Sequence, residues 1–120
     1  MLEHWFEQDL KTLVRVNHIS GNMFSQDNRA NKIVVKIFRD GEPVTLSGTL
    51  SANVILPDNS TLLIESGTIS GNEASIVLPE EAYDYPGMIS IFLKLSSGSS
   101  VITICSVTAV VYPSPIVTVP

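Results

Sequence analysis

From Lys32 onward, hydrophobic and polar positions alternate in short runs separated by turn residues, and that two-residue period predicts strands. Lys32–Phe38 is rich in β-branched residues and predicts a strand, followed by a tight turn at Arg39-Asp40-Gly41-Glu42. Pro43–Leu46 is a short strand broken by Ser47-Gly48. Leu50–Leu56 alternates, with Ala52, Val54 and Leu56 on one face, and Pro57-Asp58-Asn59-Ser60 turns it into Thr61–Glu65. Gly67–Ile69 and Glu73–Leu78 form a second hairpin across Ser70-Gly71-Asn72. Pro79–Tyr83 suits one helical turn, which Tyr85-Pro86-Gly87 stops. Met88–Leu95 sends Ile89, Ile91, Leu93 and Leu95 one way and Ser90, Phe92 and Lys94 the other. The longest strand is Val101–Tyr112, with Val101, Cys105, Val107, Ala109 and Val111 on its more apolar face. Seven or eight strands at this spacing predict an all-β fold, an antiparallel β-sandwich.

The two ends differ from this body. Residues 1–28 form an N-terminal arm or first strand, 29–112 the sandwich domain, and 113–120 an extended C-terminal tail. Leu2, Phe6, Leu10 and Leu13 recur at helix-like spacing, whereas Leu13-Val14-Arg15-Val16 is extended in character. Two readings stay open: a strand on the common core, or an arm that docks Trp5, Phe6 and Leu10 on a neighbouring subunit. Prolines exclude the tail from a central strand, and its Ile116, Val117 and Val119 are apolar for free chain. They join Trp5, Phe6 and Leu10 as expected interface residues.

Composition sharpens the picture. A chain of 120 residues is one domain with enough core to fold without a metal or disulfide. Its charged fraction is 16%, against about 25% in ordinary globular proteins. So few charges imply that part of the surface meets another protein. The net charge is -5 and no Lys/Arg cluster exists, which argues against nucleic acid as a partner. No apolar run is long enough for a membrane helix. Met1-Leu2-Glu3-His4-Trp5 lacks the character of a secretory signal, so the expected place of synthesis is a cytoplasm. Cys105, the one cysteine, reads as a small buried hydrophobe.

The chemical motifs are negative. Glu80, Glu81 and Asp84 share one short turn and flank no cleft, as paired catalytic carboxylates must. His4 and His18 have no companion at metal-ligand spacing, and neither Gln26-Asp27-Asn28 nor Asp58-Asn59 matches a calcium loop. There is no Gly-x-Ser-x-Gly elbow, and Gly67, Gly71 and Gly87 stand singly in turns. The expectation is no enzyme activity, no cofactor and no metal. A carbohydrate-binding module is the alternative from another class. It would use Tyr83 and Tyr85 as sugar-stacking rings, with Tyr112 and Trp5 as further candidates.

Several segments carry a resemblance. They are Asn22-Met23-Phe24-Ser25-Gln26-Asp27-Asn28, Arg39-Asp40-Gly41-Glu42-Pro43-Val44, Ser70-Gly71-Asn72, Leu78-Pro79-Glu80-Glu81-Ala82-Tyr83 with Pro86-Gly87, and Thr108-Ala109-Val110-Val111-Tyr112. Over roughly residues 20–112 the chain resembles the N-terminal domain of baseplate upper and tail-fibre proteins of tailed bacteriophages. The motifs are turn and strand-end residues, not a catalytic signature. The resemblance implies a β-sandwich in the virion that attaches an appendage to the particle, assembled in the host bacterial cytoplasm. The implied partners are further copies of itself, as a trimer or ring, and other phage structural proteins. The chain stops at Pro120 without a long receptor-binding region, which favours an adaptor, or a head-decorating or head-fibre protein, over a whole fibre.

Overall fold

A computed structural model describes residues 2–11, 16–19, 31–113 and the backbone of 23–24. Among them are eleven strands, β1 (Leu2–Asp9), β2 (Val16–His18), β3 (Met23–Phe24), β4 (Asn31–Arg39), β5 (Glu42–Pro43), β6 (Thr49–Ile55), β7 (Thr61–Ile64), β8 (Thr68–Ser70), β9 (Glu73–Val77), β10 (Gly87–Ser97) and β11 (Ser100–Tyr112). One 3-10 turn, Glu80–Tyr83, lies where the sequence predicts a helical turn.

The strands make two sheets. The first has the order β1-β4-β9-β8, with β5 also on β4; the second has the order β2-β11-β10-β6-β7, with β3 also on β11. Pairs joined by short turns (β4–β5, β6–β7, β8–β9 and β10–β11) are antiparallel, because a tight turn reverses the chain; the long-range pairs β4–β9 and β6–β10 are antiparallel too. At the β4–β5 turn, Asp40 and Gly41 have φ of 54° and 80°, the left-handed pair of a tight hairpin.

The sheets are not purely antiparallel, which corrects the expectation. β1 runs parallel to β4 from Leu2↔Asn31 to Asp9↔Phe38, and β2 and β3 run parallel to β11. All three parallel pairings belong to the N-terminal segment. Parallel neighbours need a long connection. Here the chain leaves the first sheet after β1, supplies β2 and β3 to the second, and returns as β4. β1, β2 and β3 together raise the count above the expected seven or eight.

One core serves both sheets. Ile33, Val35, Ile37, Ala74 and Ile76 enter it from the first; Leu50, Ala52, Val54, Ile89, Ile91, Leu93, Cys105, Val107 and Ala109 enter from the second. Each fully buried Leu or Ile side chain stabilises the fold by roughly 1.5–3 kcal/mol. In β11 the sequence reading fails at one point. Cys105, Val107, Ala109 and Val111 face the core as predicted, but Val101 is 61% exposed and Ile104 is fully buried. The ladder pairs Leu93 with Cys105 and Lys94 with Thr103, so Ile104 is an extra residue in a bulge. A slip of one residue exchanges the faces beyond it.

Gly48 shows how closely the backbone packs. Its φ is 107°, and a Cβ there would collide with the Ser96 carbonyl oxygen. Gly98, with φ of 61°, has open space around it. Gly48→Ala is therefore expected to cost more than about 2 kcal/mol, and Gly98→Ala only about 1–2 kcal/mol. Urea denaturation of the two variants measures the difference; equal losses would contradict this packing.

Candidate functional site

The N-terminal strand carries the densest polar structure. Asp9 ends β1, and its carboxylate gathers three backbone amides: Oδ1 accepts from Lys11 (2.9 Å) and Asp40 (3.0 Å), and Oδ2 from Gly41 (2.9 Å). The β4–β5 turn is thus fastened to β1. The amides of Lys11 and Gly41 lead in lowering the Asp9 pKa below its ordinary 3.8, with the amide of Asp40 and the charge of Lys11 adding to them. A shallow hollow of about 270 Å³ beside it is lined by Glu7, Asp9, Phe38 and Gly41.

A buried polar chain ties the other end of β1. With Nε2 protonated, His4 donates to Asn31 Oδ1 at 2.8 Å, and Asn31 Nδ2 donates to the Tyr83 hydroxyl at 3.0 Å. The Asn31 carbonyl accepts from the Leu78 amide at 3.0 Å. Asn31 is 1% exposed and Tyr83 fully buried. Leaving such a buried group unpaired costs about 1–3 kcal/mol, so the chain fixes the 3-10 turn and β1 to β4 together.

Tyr83 is therefore a core residue, which corrects its assignment as a sugar-stacking ring: no face of it reaches solvent. Tyr85 is 61% exposed, two residues on. Of the expected interface set, Phe6 and Leu10 pack against the chain's own core. Trp5 points out from β1 and is 50% exposed. Its Nε1 donates to Glu3 Oε1 at 3.1 Å, and Lys36 Nζ lies 5.4 Å from the ring centroid. Trp5 is in register with Val34, which is 3% exposed although it faces away from the shared core. Ile116, Val117 and Val119 lie outside the described residues.

The remaining candidates are dispersed. Cys105 is buried, and burial raises its thiol pKa to about 11, against the smaller opposing pull of Asn17, whose Nδ2 lies 3.8 Å from the sulfur. His18 lies on β2 with Nδ1 2.9 Å from Thr108 Oγ1. Glu80, Glu81 and Asp84 are exposed on the 3-10 turn. Among the described residues no three of His, Cys, Asp and Glu gather as metal ligands, and no helix is long and apolar enough to cross a membrane.

The sequence reading missed a difference between the two outer faces. The strands of the first sheet carry Glu3, Glu7, Asp9, Lys32, Lys36, Arg39, Glu42 and Glu73; the described strands of the second carry Lys94 alone. On that second face one cross-strand row reads Leu63, Asn53, Phe92, Ser106, and the next reads Thr61, Ile55, Ser90, Thr108. Two shallow hollows of about 330 and 420 Å³ adjoin at Ile55, the first reaching Phe92 and Lys94 and the second Met88 and Ser90. The outward placing of Ser90, Phe92 and Lys94 was readable from alternation. Their union with Asn53 and Ile55 required the order of the strands.

No protein-family model and no curated protein matches the chain in sequence. Its fold is found in a solved structure. The N-terminal domain of phage TP901-1 ORF48 superposes with a TM-score of 0.58 at 15% identity, covering 93% of this chain and 99% of that one. The chain shares the fold of a phage protein domain across nearly its whole length.

Two outcomes follow from these local environments. Asp9 ionises more readily folded than unfolded, so its contribution to stability is present above pH 3.8 and is lost as pH falls through its lower folded value. Asp9→Asn should therefore lie below wild type at pH 7 and converge on it toward pH 2, measured by thermal melting; a constant gap would contradict the nest. Cys105 should resist a disulfide reagent at pH 8 in native buffer and react once per chain in denaturant. Rapid native labelling would show an accessible thiol.

Proposed function

We propose that this chain is a non-enzymatic bacteriophage virion structural domain, a baseplate or tail-fibre attachment or adaptor module that works as one of several copies beside other phage structural proteins. The observation that carries this reading is the fold shared with the N-terminal domain of phage TP901-1 ORF48 over 93% of the chain. Two features support it. The turn and strand-end residues resemble those of baseplate upper and tail-fibre N-terminal domains. The low charged fraction, 16%, leaves much surface suited to protein contact.

The polar groups agree with a structural part. The Asp9 nest and the His4–Asn31–Tyr83 chain use these hydrogen bonds in holding β1 and the 3-10 turn. The sugar-binding alternative loses Tyr83, one of its two stacking rings, to the core.

The test is made on particles. Virions of the phage encoding this chain are purified by density gradient, analysed by peptide mass spectrometry, and labelled with gold-conjugated antibody for electron microscopy. The expected result is stoichiometric peptides in the particle band and gold at the tail. Peptides confined to the soluble fraction would overturn the virion assignment, and gold on the capsid would replace the tail assignment with a head-decorating one.

A further inference from the structure

The first sheet's outer face is finished for water. It mixes acids and bases, and its inward-lying outer residue Val34 is in register with Trp5, whose ring lies under Lys36. The second sheet's outer face has no such finish. Leu63, Met88 and Val101 are 55%, 60% and 61% exposed, and Ile55 lies between two hollows on the same side. Lys94, the one Asp, Glu, Lys or Arg on the described strands of this sheet, has Ser51 and Thr103 as cross-strand neighbours. A solvated sheet face of this size ordinarily carries several charges. Their near absence, together with exposed apolar side chains, marks a face that is covered.

We propose that the outer face of β6, β7, β10 and β11 is a homodimer interface, on which a second copy lays the same face about a two-fold axis. Charge selects the occupant. Each chain carries a net charge of -5, and the acids Glu3, Glu7, Asp9, Glu42 and Glu73 lie on the strands of the other sheet. Copies approaching through that sheet bring carboxylates together, whereas the described strands of the second sheet carry none, the exposed Glu65 following directly after β7. An isologous contact demands a surface complementary to itself, and a face almost without charge meets that condition. On the described strands of this face a partner of opposite charge would find only Lys94 to recognise.

The area suits a weak, concentration-dependent contact. The four strands β6, β7, β10 and β11, spaced about 4.8 Å apart and each contributing about six residues at 3.4 Å, give a flat footprint of roughly 400 Å² per copy. Two copies then cover about 800 Å², below the roughly 1,000 Å² of a stable interface and in the range of transient ones. The hydroxyl and amide side chains of Asn53, Ser90 and Thr103 supply hydrogen bonds between the apolar contacts without requiring ion pairs.

This inference rests on the self-association in the proposed function but is tested on the isolated full chain, so its failure leaves the particle experiment untouched. Size exclusion with light scattering is run from 1 to 100 µM. Wild type is expected to pass from the 13.0 kDa of one chain to twice that mass. Met88→Glu and Phe92→Glu should each raise the dissociation constant at least tenfold, while Glu7→Lys on the other sheet leaves it unchanged. Circular dichroism confirms folding. Should Phe92→Glu unfold, the exposed Met88 variant decides alone. Added salt should leave the dimer unchanged or tighten it, because it screens the residual repulsion and breaks no ion pair. A monomer throughout the range overturns the proposal. So does a dimer dissolved by salt, or an assembly indifferent to both face variants. The last result would keep self-association and move it to another surface.

Discussion

Burial of one face of β10 and β11 against β4 and β9 is the constraint on which this domain depends. Ile89, Ile91 and Leu93 alternate along β10, and their counterparts Ile33, Val35 and Ile37 alternate along β4. Because successive side chains point to opposite faces, committing one set to the core commits the other to the outside. The outer face of the second sheet is thus defined by the core, residue by residue. The exception is the bulge at Ile104, which keeps the end of β10–β11 paired while exchanging the side chains beyond it.

A two-sheet fold of this kind leaves edges, and the N-terminal segment covers two of them. β1 closes the open side of β4, and β2 and β3 lie along β11. Parallel edge strands have no hairpin to hold their register, so side chains do it. Asp9 grips the β4–β5 turn at one end of β1, and His4 reaches Tyr83 through Asn31 at the other. Phe6 between them packs on the core. These groups look reactive in a sequence, yet their geometry is that of fasteners.

The fold shared with a phage protein domain and the contrast between the two faces describe complementary properties. The first sheet, with its charges and with Lys36 over the half-exposed Trp5 ring, is suited to water. The second, with Lys94 among hydroxyls and apolar side chains, is suited to contact.

Much of the fold was legible in the sequence. Alternation located β6, β10 and most of β11, and turn chemistry located the reversals at Asp40-Gly41 and Pro57–Ser60, because both signals are local. The core residues of β10 followed from the same period. What the sequence left open depended on distant partners. It gave Leu2, Phe6, Leu10 and Leu13 a helix-like spacing, and the pairing with β4 made residues 2–9 a strand instead. It offered Tyr83 as an exposed ring, and the hydrogen bond from Asn31, 52 positions earlier, accompanies its burial. It showed that charges were few but not that they were segregated. The unequal faces arise because strands far apart in the chain become neighbours in the sheets, and only the tertiary structure decides which ones.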